Sequence, residues 1–191
     1  MQLYILDEVS KYARLSEACI QAVMAHLHKE EFNKGELIQE AGKVCTRLFF
    51  IDTGLVRMFF YDNDGKDITY QFYGEGKFTS ILNSYASGTP SLYNIEALED
   101  SVIYSLYFSD FKMLLDTYLE LEKVHSQVLL QILVQYDHRA TTLQFLNAED
   151  RYLDLLEKQP SIIQRATLGQ VASYLGINQA TLSRIRSKVK L

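Results

Sequence analysis

The strongest constraint on this chain is a change of hydrophobic period along its length. Residues 5–27 repeat at helical spacing, with Leu15, Cys19, Ile20, Val23 and Leu27 on one stripe and Ser16 placed as an N-cap. From Phe32 the period falls to two. Short aromatic and β-branched runs follow at 36–39, 47–52, 55–61, 67–73, 93–97 and 101–108, separated by turn residues such as Lys34-Gly35, Thr53-Gly54, Asn63-Asp64-Gly65 and Gly74-Glu75-Gly76. Strands spaced so evenly predict an antiparallel β-roll of jelly-roll type. After Ser109 and Asp110, which read as a cap, helical spacing returns for almost forty residues, and a polar break at 147–150 leads to a final helical segment. The expected fold class is therefore α+β. Its expected divisions are a β-roll over 1–110, a long helix over 111–146 and a small helical domain over 147–191.

The long helix carries two apolar stripes. Leu121, Val124 and Val128 form the first; Leu129, Ile132, Tyr136, Arg139 and Leu143 form the second, in alternating steps of three and four. That alternation marks a helix–helix seam. One small roll cannot cover both stripes, so the second predicts a homodimer.

Charge is segregated along the chain. Residues 161–191 hold Arg165, Arg184, Arg186, Lys188 and Lys190 and no acidic residue; removing that +5 from the formal −5 of the whole leaves about −10 on residues 1–160. Within the basic tail, residues 167–186 read as a helix-turn-helix. Leu168, Val171, Ala172 and Leu175 give the first helix a buried face, Gly176 suits a left-handed turn, Ile177 fills the corner and Asn178 caps a second helix buried through Leu182, Ile185 and Val189. Outward then point Gln179, Ala180, Thr181, Ser183, Arg184 and Lys188, with Thr167 and Gln170 completing the face turned to double-stranded DNA. Gln and Arg can fork onto adenine and guanine edges. Arg165, Arg186, Lys188 and Lys190 read as phosphate neutralisers, which hold register without reading sequence.

Other classes find little support. Cys19 and Cys45 form no metal-ligand or redox spacing, and a P-loop, a G-x-S-x-G elbow, an H-E-x-x-H pair and a dinucleotide glycine fingerprint are all missing. The chain is not expected to be an enzyme or to carry a metal or cofactor. His26, His28, His125 and His138 fall in segments read as helical without partner ligands, which argues against haem. With no signal-like stretch and no membrane-length apolar run, the protein is expected to be soluble and cytoplasmic.

Four segments in order resemble the Crp–Fnr family of bacterial transcription regulators. They are Phe32-Asn-Lys-Gly35-Glu-Leu-Ile-Gln-Glu-Ala-Gly42, Leu48-Phe-Phe-Ile-Asp-Thr-Gly54-Leu-Val-Arg57, the long helix running into Phe145-Leu-Asn, and the 167–186 helix-turn-helix. The resemblance implies a sensor roll, a dimerisation helix, a C-terminal DNA-binding domain and RNA polymerase as a further partner. It also exposes departures. Family members that bind cyclic nucleotides hold the ribose with a Glu and the phosphate with an Arg; Ile81 and Ser91 stand at those positions here. A buried phosphate without a paired cation is costly, so cyclic AMP is not expected to bind. The vacated pocket would be lined by Tyr70, Phe72, Ser80, Ile81, Leu82, Ser91 and Leu92, beside Tyr85 and Tyr93. Tyr136 and Asp137 would close it, suiting a neutral or apolar small-molecule effector. Residues 159–166 are too few for the hairpin wing that many members carry. The alternative reading is a small-molecule sensor module that signals through protein partners.

Overall fold

The computed structural model describes residues 4–189. Two short helices, α1 (Tyr4–Ser10) and α2 (Glu17–His26), open the chain, and the Ser16 hydroxyl accepts the Cys19 amide at 3.2 Å to start α2. The strands are β1 (His28–Phe32), β2 (Leu37–Gln39), β3 (Arg47–Thr53), β4 (Val56–Tyr61), β5 (Asp67–Tyr73), β6 (Phe78–Thr79), β7 (Asn94–Ala97) and β8 (Ser101–Tyr107). They pair antiparallel in two sheets, ordered β1-β8-β3-β6 and β2-β7-β4-β5. Phe49, Ile51, Val56, Met58, Ile95 and Ile103 fill the space between the sheets, as alternation places them. At the β3–β4 turn Gly54 has φ +104°, and a Cβ there would lie 2.9 Å from the Ser101 Cα. Only glycine fits both demands.

A short helix, α3 (Leu82–Ser87), links β6 to β7 and ends on left-handed Gly88. The outer face of the first sheet, with Phe50, Tyr104 and Leu106, is covered by α1, α2 and α4 (Phe108–Thr117). Here the structure differs from the sequence reading. Ser109 and Asp110 lie within the first turn of α4 rather than capping it, and the helical run breaks at extended Tyr118 before α5 (Leu119–Phe145). Leu121, Val124 and Val128 then lie buried along α5. His28 begins a strand, not a helix; the charged run His28-Lys-Glu-Glu-Phe32 shows no alternation because β1 is a sheet edge paired only with β8.

The chain ends in α6 (Ala148–Lys158), α7 (Pro160–Arg165), α8 (Leu168–Tyr174) and α9 (Gln179–Lys188). Asn147 caps α6, accepting the Glu149 and Asp150 amides at 3.0 Å each. Where the wing is too short to form, Pro160 starts α7 from its first position. These helices share one core with the roll: Tyr152, Leu155, Ile162, Val171 and Leu182 cluster with Leu55, Phe72 and Leu98. No helix among the described residues is long and apolar enough to cross a membrane.

Candidate nucleic-acid interface and sensor pocket

Local chemistry fixes the α8–α9 pair. The Thr167 hydroxyl accepts the Gln170 amide while the Gln170 side chain accepts the Thr167 amide, a closed capping box. Gly176 turns the chain at φ +67°, the Ile177 amide returns to the Ala172 carbonyl at 3.0 Å, and the Asn178 side chain accepts the Thr181 amide at 2.8 Å. Val171, Ala172, Leu175, Leu182 and Ile185 are buried between the helices. Two arginines hold the turn from behind. Arg139 of α5 stacks its guanidinium 3.9 Å from the Tyr174 ring centre and donates to the Tyr174 carbonyl, and Arg151 of α6 donates to the Leu175 carbonyl at 2.9 Å. Both place a cation at the carbonyl end of α8. Burial pulls the Arg139 guanidinium below its usual value.

On the outer side, Gln179, Ala180, Ser183, Arg184, Arg186 and Lys188 are exposed and Thr181 is half-buried. Arg184, Arg186 and Lys188 have no acidic partner among the described residues. Gln179 folds back over α8, where a Cβ at Gly169 would meet its Nε2 at 2.8 Å. Thr167 and Gln170 stand beside this face, but the capping box occupies the Thr167 hydroxyl and the Gln170 carbonyl. Lys190 lies outside the described residues.

Arg165 sits elsewhere. Its guanidinium forks onto Glu75 at 2.6 and 3.0 Å and onto Glu99 at 2.5 and 3.2 Å, pinning α7 to the roll. Bonds to Glu99 and Glu75 hold the Arg165 cation above its ordinary value. Burial pushes the Glu75 carboxyl up, but Arg165 and the Glu75 and Gly54 amides outweigh it and leave the group below its usual range. The Thr69 amide donates to Ser173 of α8 at 2.9 Å across the same junction. In consequence Gln170, Gln179, Ala180 and Arg184 open on a cleft of about 770 Å³ whose far wall is Arg57, Lys66 and Asp67 of the β4–β5 hairpin. Arg57 itself is committed to Asp67 and Glu96 and lies over the Phe59 ring.

The residues expected around an effector pocket are scattered. Tyr70 and Tyr136 do meet, with ring centres 6.1 Å apart, and Tyr93 lies 5.2 Å from Tyr70. Tyr73, which sequence reasoning missed, joins them: it is buried in the roll core and its hydroxyl interacts with Tyr136. A bulge between the Met58 and Phe59 pairings inserts an extra residue in β5, so Tyr70 and Tyr73, three apart, both reach the interior. Ile81 is buried in the same cluster. Ser80 bonds the Arg47 carbonyl at 2.9 Å, and Ser91 is spent on the Tyr93 backbone, accepting its amide at 2.8 Å and donating to its carbonyl. Other expected residues fall away from this cluster. Phe72 points to the C-terminal helices, 5.2 Å from the Tyr174 ring; Leu92 is 81% exposed; Asp137 lies on the outer surface of α5. Leu82 lines a different cavity, on the outside of the first sheet.

The second stripe of α5 is largely taken up by its own chain. Ile132 lines that outer cavity, Tyr136 packs on the roll and Arg139 on α8, while Leu129 and Leu143 stay exposed. The apolar surface left open is one residue further round: Leu130, Leu133 and Val134, with Leu133 63% exposed.

Comparison with known proteins accords with this geometry. Residues 29–118 match the cyclic nucleotide-binding domain family. No curated protein sequence matches the chain significantly. Among solved structures, the c-di-GMP responsive global regulator CLP of Xanthomonas campestris is 18% identical, with 91% of each chain covered and a TM-score of 0.67. FixK2 of Bradyrhizobium japonicum is 18% identical over 85% of this chain and 84% of its own, with a TM-score of 0.71. A Crp/Fnr family transcriptional regulator of Eubacterium rectale is 16% identical over 91% and 83%, with a TM-score of 0.70. Residues 29–118 are therefore similar to a cyclic nucleotide-binding domain, and the chain has the fold of the Crp–Fnr regulators.

Proposed function

We propose that this protein is a cytoplasmic transcription regulator that binds specific double-stranded DNA as a homodimer and does not respond to cyclic AMP. The observation that carries the reading is α9: a rigidly bedded helix whose Gln179, Ser183 and Arg184 share an exposed face with the unpaired cations Arg186 and Lys188. A solvated basic helix would not need a capping box, a left-handed turn and two arginines to fix its angle. The dimer forms along α5 through Leu130, Leu133 and Val134, flanked by Leu129. Cyclic AMP finds neither counter-charge nor ribose acceptor, since Ile81 is core and the Ser91 hydroxyl is already bonded.

Selection of duplexes from a random pool tests this. The expected product is a pseudo-palindrome whose half-sites are about 34 Å apart, bound with an affinity that falls steeply with salt. Arg184→Ala should weaken it by about 1–3 kcal/mol and relax one base position. A pool that stays unenriched at low salt defeats the proposal. That outcome would favour a sensor module acting through protein partners, a reading to which the cleft shared by Arg184 and Asp67 lends some support.

A further inference from the structure

Outside the roll lies a cavity of about 440 Å³ that the mechanism above does not use. It is bounded by the outer face of the first sheet (Phe50, Leu106), by α1 and α2 (Ile5, Val23) and by α5 (Val128, Ile132). Its walls are almost wholly hydrocarbon and aromatic ring. At one end, where α4 meets α5, two nitrogen-bearing side chains reach it: Lys112, exposed and without an ion-pair partner among the described residues, and His125, edge-on to Phe111 at 5.3 Å. Among the described residues that line the cavity, the exposed Lys112 carries the ammonium, and apart from His125 and the Tyr85 and Tyr104 hydroxyls the rest of the lining is hydrocarbon or aromatic ring. At roughly 30 Å³ for each water-sized group it holds about fifteen non-hydrogen atoms, the size of a twelve-carbon carboxylate.

We infer that this cavity binds a straight-chain fatty carboxylate, with its tail along Leu106 and Val128 and its head group at Lys112. The pocket is the common kind, apolar with a few placed polar groups, and the lone ammonium selects an anionic head over an alcohol of equal length. The site is separate from the cyclic nucleotide position inside the roll and stands whether or not α9 reads DNA. A ligand here would touch both the sheet and the first half of α5, and so would bear on the angle of that helix.

Calorimetric titration of the full chain with carboxylates from hexanoate to hexadecanoate tests the assignment. Affinity should climb with each methylene to about dodecanoate and then stop rising, the mark of a closed volume. Lys112→Ala, an exposed change that leaves the core intact, should weaken decanoate about tenfold and leave decanol unchanged. Val128→Phe should fill the cavity and abolish both, its fold being checked by thermal unfolding. No saturable binding below millimolar overturns the inference, as does affinity that climbs without a break through hexadecanoate, or an equal effect of Lys112→Ala on acid and alcohol. Binding seen only in a monomeric Leu133→Glu variant would show that the partner's helix fills the space, and would overturn it too. None of these readouts involves DNA, so failure here is distinguishable from failure of the proposed function.

Discussion

Releasing Arg165 from Glu75 and Glu99 should raise DNA affinity. The arginine bridges the C-terminal helices to the roll through four hydrogen bonds to two carboxylates that are themselves 41% and 37% exposed. Ion pairs that open to water are each worth about 1 kcal/mol at most, so the double change Glu75→Gln/Glu99→Gln should weaken the contact by about 2 kcal/mol. Glutamine keeps the shape and one acceptor oxygen of each carboxylate, so the change removes the charge together with one hydrogen bond of each fork. If the docked arrangement must open for a duplex to reach past Lys66 and Asp67, the open population rises by up to about 30-fold, at 1.4 kcal/mol per factor of ten. Each Arg165 that then meets a phosphate adds about 0.9 to the salt slope, or about 2 for a dimer. Fluorescence anisotropy with a selected duplex at several salt concentrations measures both. A Glu31→Gln/Glu40→Gln control, matched in net charge, separates the contact from general repulsion. Equal affinity and slope in the two variants would refute the reasoning. The pH sense is fixed as well. Because the Glu75 carboxyl is held below its ordinary 4.5, its contribution is present at neutral pH and fades only as pH falls through the lowered value.

Three other outcomes follow from single contacts. Gly54→Ala should lower the free energy of unfolding by about 3 kcal/mol, because a left-handed φ and a clash with the Ser101 backbone add together; an unchanged denaturant midpoint contradicts this. Cyclic AMP should give no calorimetric binding, and micromolar affinity would mean that Ile81 and Ser91 do not empty the site. Leu133→Glu should turn the dimer into monomers by sedimentation velocity, since it sets like charges against each other at the seam; a dimer that survives places the interface elsewhere.

Much of the fold was legible because its signals are local. Period two, turn glycines and caps are written within a few residues of one another, so six of the strands and the α8–α9 pair could be read directly. β1 was hidden by its edge position, which tolerates a charged run, and β6 by having only two residues. The long helix shows a different limit. A stripe says which side chains share a face, but not which face the rest of the chain will cover. Tyr136 and Arg139 look like seam residues until the roll and α8 claim them, and the open surface moves round to Leu130 and Leu133. The bulge in β5 acts likewise, breaking the alternation that would send Tyr70 and Tyr73 to opposite sides. Arg165 was read as a phosphate contact because nothing in its neighbourhood is acidic; its partners lie 66 and 90 residues away.

The last point changes what the charge segregation means. A basic tail on an acidic body reads at first as attraction to a polyanion, and the unpaired cations of α9 fit that. Yet the same acidity supplies Glu75 and Glu99, which hold Arg165, and Asp67, which lines the cleft that Gln179 and Arg184 open on. For Arg165, carboxylate and phosphate are alternative partners, since one guanidinium cannot fork onto both. Docking to the roll and engagement of DNA are then linked equilibria, and whatever stabilises the first must weaken the second by the same factor. On this argument an effector needs no contact with α9. It need only shift the balance at the α7–roll junction by the 2 kcal/mol or so that two half-exposed ion pairs supply, a change within reach of modest movements of α5 through Arg139 and Tyr174.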